Sequence, residues 1–146
     1  MTMETSMSIR VGVFLLSILF AGDAWACRDR PIFSSTDANG RTLGLFLADA
    51  DFANVPEWAP GNGEPPLSIS RAVENAISWG SSKYSRYDGI RVSGLELAWS
   101  RCTLGATHWY YRITLTPMMD GNSVRDSGAW VAVLFDGRVV VPVEVD

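Results

Sequence analysis

The sequence predicts an α+β domain in which one helix packs on a mostly antiparallel sheet, with a β-hairpin ahead of the helix. Three observations lead there. One segment alone has helical apolar spacing, at Ile69, Ala72, Val73, Ala76 and Ile77. Four later segments rich in Val, Trp and Tyr read as strands. Two turn dipeptides, Asn39-Gly40 and Asp136-Gly137, each lie next to such segments. With 146 residues, 47% of them hydrophobic and 19% charged, the chain has material for one core and falls outside the disordered class.

Val11 to Ala21 form an apolar run of about a dozen residues behind Arg10 and ahead of Ala24-Trp25-Ala26. This reads as a secretory signal peptide over 1–26, leaving 27–146 as one compact domain in the periplasm or outside the cell. The run falls short of the ~20 residues that a membrane-spanning helix needs. Export would place Cys27 and Cys102 in an oxidising compartment, where a disulfide between them is expected. Closing so long a loop would contribute about 4 kcal/mol, less any strain. The competing reading makes Cys27 a lipid anchor; Ala-Trp-Ala is a poor lipobox because it lacks Leu and carries a bulky ring.

Residues 27–66 begin with the hairpin, whose second strand, Thr42 to Ala48, alternates Leu43, Leu45 and Leu47. Asp49 to Pro66, with Pro56, Pro60, Pro65, Pro66, Gly61 and Gly63, reads as a loop laid over the surface. Residues 67–146 open with Ser68 as helix N-cap, and Gly80 is expected to end the helix. Strands follow at Ile90–Ser100, His108–Thr116, Ala129–Phe135 and Arg138–Val145. Alternation in the second of these puts Trp109, Tyr111, Ile113 and Leu115 on the face that should meet the helix. A two-residue turn at Asp136-Gly137 would pair Leu134 with Val139, Ala132 with Val141 and Trp130 with Val143, a set expected on the helix side, with Arg138 and Glu144 in water. The opposite face, with Val131, Val133 and Phe135, is expected to lie under the N-terminal hairpin.

A formal net charge of −4 offers no basic surface for nucleic acid or anionic lipid. One histidine and two cysteines fall short of the four ligands of a structural zinc site. His108 lies on the polar side of its strand, with no motif supplying a nucleophile and an orienting carboxylate. Asp49 and Asp51, and Asp120, Asn122 and Asp126, lack the ligand order of a calcium loop and read as turn residues. No catalytic residue, metal or cofactor is therefore assigned. Lys83, Tyr84, Arg86 and Tyr87 interleave charge with rings, a pattern that can meet anions or bases, here read as a solvated connection. The candidate binding surface is the strip Tyr110, Arg112 and Thr114 beside Val131 and Val133.

Leu67-Ser-Ile-Ser-Arg-Ala-Val-Glu-Asn-Ala76, Trp109-Tyr-Tyr-Arg-Ile-Thr114 and Val131-Ala-Val-Leu-Phe-Asp-Gly-Arg-Val139 together resemble the PepSY domain, with its helix, aromatic strand and hairpin. The resemblance covers Leu67 to Val145 and departs from the family at Cys102 and in the long Thr116 to Gly128 insertion. It implies an exported module that acts by binding, as in propeptides of secreted peptidases, with no catalytic residue to carry over. A cystatin-like sheet wrapped on a helix is the nearest architecture, without the Gln-x-Val-x-Gly loop of that family. The expectation is thus a non-enzymatic exported module with a protein partner in the cell envelope, one that restrains a peptidase or another envelope protein. The alternative is a small exported enzyme or ligand-binding protein with a pocket between helix and sheet, using His108 and Arg112.

Overall fold

Ser68 starts the helix as its sequence position requires, its hydroxyl accepting the Arg71 N–H at 3.3 Å. In the computed structural model, which describes residues 30–37, 39–100, 108–125 and 129–145, this helix, α1, spans Ile69–Lys83. It runs through Gly80 instead of ending there. A Cβ at Gly80 would lie 2.7 Å from Leu115 Cδ1 and 3.4 Å from Ile90 Cγ2, so this glycine serves close packing and not capping. Ala72, Ala76 and Gly80 form the buried stripe, and Lys83 stands in the last turn, where its charge suits the helix dipole.

The main sheet beneath α1 is antiparallel. Strands β3 (Gly89–Trp99), β4 (Trp109–Met119), β6 (Trp130–Leu134) and β7 (Val139–Val140) lie side by side in that order, and the short β5 (Asn122–Ser123) pairs with the end of β4. Tyr111 stands opposite Val133, and Ile113 opposite Val131, so all four share one face. That is the helix face. Leu115 lies against Gly80 on it, and the Tyr111 hydroxyl donates to the Leu67 carbonyl at 2.8 Å. The reading that Tyr111, Ile113 and Leu115 face the helix matches the structure.

A second, three-stranded sheet consists of β1 (Phe33–Thr36), β2 (Thr42–Leu45) and β8 (Val143–Val145), with β2 in the middle. The Phe33 ring meets Trp130 edge-on at 4.6 Å and lies under the Arg112 guanidinium at 4.2 Å. The hairpin therefore covers the face bearing Tyr110, Arg112, Trp130, Ala132 and Leu134, and not the Val131 face. The two faces of β6 are exchanged relative to the sequence reading, while those of β4 stand as read. Covered on both sides, every residue of β6 is buried.

The exchange has a one-residue cause. Gly137 donates to the Leu134 carbonyl and Leu134 to the Arg138 carbonyl, both at 2.9 Å, with Gly137 at φ 90°. This is a three-residue loop, Phe135-Asp136-Gly137, whose last residue is left-handed, and not a two-residue turn. Val133 consequently pairs with Val139 and Ala132 with Val140. Leu134 and Trp130 are buried as expected, but Val139 is half-buried and Val141 and Val143 are exposed. Arg138 and Glu144 are exposed. The expected strand Arg138–Val145 is also interrupted: Pro142 cannot donate to a ladder, and beyond it β8 leaves the main sheet to pair with β2.

The Pro/Gly-rich segment is more than a surface loop. Asp49–Phe52 form a 3-10 turn, and Phe52, Val55 and Trp58 are buried. Phe52 stacks on His108 at 4.7 Å, on the hairpin side of the sheet. Trp58 meets Trp109 at 5.9 Å and Phe135 at 5.8 Å, on the helix side. The segment wraps the end of the sheet and closes both layers. Among the described residues no helix is long and apolar enough to cross a membrane. Cys27 and Cys102, and with them the expected disulfide and cleavage site, lie outside the described residues.

Candidate recognition cleft

The strip expected as a binding surface does not exist as one surface. Tyr110, Val131 and Val133 are buried, with Tyr110 on the hairpin face and the two valines on the helix face. Arg112 is half-buried, its guanidinium held between Glu96 and the Phe33 ring. Thr114 alone of the five is exposed. Tyr110, Val131 and Val133 belong to the interior between the layers.

His108 and Arg112 do not line a space between helix and sheet. Arg112 lies on the opposite face, as does the His108 ring stacked on Phe52. The helix–sheet contact at Gly80 has no room for even a methyl group without displacing Leu115. Among the described residues no three or more His, Cys, Asp or Glu side chains gather as a metal site.

A cleft of about 610 Å³ does open at the C-terminal end of α1. Three segments remote in sequence form it. Trp79, Lys83, Tyr84 and Arg86 come from the helix end and its exit; Asp37, Arg41 and Leu43 from the first hairpin; Val141, Pro142 and Glu144 from the crossing between the two sheets. Local chemistry sets each wall. Trp79 packs edge-on against the buried Tyr84 at 6.1 Å, which fixes an aromatic floor. Arg86 lies over the Tyr87 ring at 4.9 Å and donates to its hydroxyl at 2.9 Å. Arg41 pairs with Asp37 at 2.9 Å across the hairpin turn. The Asp37 carboxyl lies below its ordinary 3.8, first because it accepts the Arg41 backbone N–H and further through the Arg41 side chain and the Asn39 N–H.

The arrangement is an apolar floor of Trp79, Leu43, Val141 and Pro142 with a rim of both charges, suited to recognition by contact. The sequence held one signal of it, the interleaved Lys83, Tyr84 and Arg86; the other two walls come together only through the crossing at Pro142. No known family model, curated protein or solved structure matches this chain.

Proposed function

We propose that this chain is an exported binding module that engages a protein partner of the cell envelope through the cleft at the end of α1. The observation that carries the reading is the convergence there of Trp79, Lys83, Tyr84 and Arg86 with Arg41, Pro142 and Glu144 from two other segments. Rings and arginines beside an apolar floor are the composition enriched where proteins meet. The resemblance to PepSY modules supports the same class of role, restraint of a peptidase or another envelope protein. The close helix–sheet contact at Gly80 speaks against the alternative pocket.

The test is position-specific crosslinking in producing cells. A photoreactive residue replacing Ser85, exposed in the cleft, should give a discrete adduct with one envelope protein; the same group replacing Ser78, exposed on the helix away from it, should not. Trp79→Ala should abolish the adduct at Ser85. Equal labelling from both positions, or an adduct indifferent to Trp79→Ala, would reject the cleft as the binding site.

A further inference from the structure

The main sheet ends on one side at β3, eleven residues long and without a neighbour beyond it among the described strands. An edge of this length offers a row of backbone donors and acceptors to any strand that can match it. Which residues point outward follows from the pairing with β4. Ser100 donates to the His108 carbonyl, so the alternate residues Ala98 and Glu96 also turn their backbone groups toward β4, while Leu97 and Leu95 turn theirs away. Leu115 donates to Ala129 on its other side, so its opposite number Val92, and with it Ile90, also turns outward. The bulge between Val92 and Gly94 keeps Ile90, Val92, Leu95 and Leu97 on one face, that of the helix. Asn75 on one flank of α1 reaches Gly137, so Ile69, Val73 and Ile77, on the other flank, border this strip. Ile69 is 56% exposed and Leu95 38%. Ile90, Val92 and Leu97 are half-buried beside them, so the open edge has an apolar border on its helix side.

We propose that β3 pairs antiparallel with β3 of a second copy of this chain, extending the main sheet across a two-fold axis. The edge is complementary to itself in one register. With Val92 opposite Leu95 of the second copy and Ile90 opposite its Leu97, outward-pointing backbone groups meet outward-pointing ones on both sides of the axis. The two bulges then face each other. The same register sets Arg91 opposite Glu96, both exposed and both on the face away from the helix; Arg91, which within one chain donates to the Ser123 hydroxyl at 3.0 Å, turns to the edge on pairing, and each Glu96 then stands between its own Arg112 and Arg91 of the other copy. A bulge and edge charges are also the usual means of blunting an edge. Here they are placed so that a second copy satisfies both, whereas shifting the register by two residues puts Arg91 opposite Ala98 or an uncharged residue. The contact is isologous, so it closes as a dimer and does not propagate. The cleft at the end of α1 takes no part in it.

The experiment is sedimentation equilibrium of the purified protein over a range of concentrations, with melting measured on each variant to show that it folds. The wild type should dimerise. Leu95→Lys should give a folded monomer, and Arg91→Glu, which places like charges opposite each other, should weaken association by about tenfold or more. Arg91→Lys, which keeps a positive charge opposite Glu96, should leave association near that of the wild type. A wild type that stays monomeric at the highest attainable concentration would overturn the proposal. So would a dimer unmoved by Leu95→Lys, or one that Arg91→Lys weakens as much as Arg91→Glu does.

Discussion

Asp37 joins local turn chemistry to the cleft. Its carboxylate accepts the Asn39 and Arg41 N–H groups at 2.8 and 2.9 Å and pairs with the Arg41 guanidinium, and these bonds lower its pKa below 3.8. A lowered folded-state value means stability that is present above the ordinary value and lost as the pH falls through the lowered one. Carboxyl-carbon NMR titration should place the Asp37 midpoint below 3.8, and in Asp37→Asn the acid-induced loosening of the hairpin turn should vanish. A midpoint at or above the ordinary value would contradict the turn geometry. Residue by residue, much could be read from the chain: Ser68 caps, Asn39-Gly40 turns, and Tyr111 faces the helix. Tyr110 and Val131 could not be placed together correctly, because alternation gives the faces of each strand separately. Only the cross-strand pair of Ile113 with Val131 says which faces coincide.

At the scale of elements, α1 is held to the sheet by smallness. Ala72, Ala76 and Gly80 let the backbone approach β4, and Gly80→Val would drive a branched side chain into Leu115 and Ile90. The cost should be about 1–3 kcal/mol through overpacking, despite the better helix propensity of most residues over glycine. Denaturant unfolding measures it, and an unchanged midpoint would mean that α1 sits farther from β4 than described. The hairpin of β6 and β7 shows what a sequence withholds. Asp-Gly serves a two-residue turn and equally the last two places of a three-residue loop; the choice moves the register by one and turns every side chain of the return strand over. Nothing local to Asp136-Gly137 decides between them. The packing of Trp130 on Phe33 and of Phe135 on Trp58 does.

Across the whole molecule three layers form, helix on sheet on sheet, and the segment from Ala48 to Leu67 fastens them at one end. Trp58 fills the corner between Trp109 and Phe135 and donates its indole N–H to the Gly63 carbonyl at 3.3 Å. Trp58→Ala should therefore cost about 3–5 kcal/mol, whereas Ile69→Ala, at a largely exposed helix position, should stay within about 0.5. Comparable losses for the two would mean that the segment does not clamp the layers. The Pro and Gly content of this stretch told truly that it is neither helix nor strand. It hid the three apolar anchors, since burial in an irregular segment follows no period. The cleft was beyond reach for a related reason: its walls are neighbours only because the chain changes sheets at Pro142.

That crossing sets an order of events. The strand β2 pairs on its second side with β8, Thr42 against Val145 and Gly44 against Val143, so the N-terminal hairpin waits for nearly the last residues described. Contacts so distant along the chain slow folding, because the loop must close before they contribute. A chain emerging from its amino end has no partner for the second edge of β2, and Leu45 and Leu47 have no finished interior to enter, until β8 has followed. Arrival of β8 joins the two sheets and completes one wall of the cleft in the same step, so acquisition of the recognition surface and completion of the fold coincide in time.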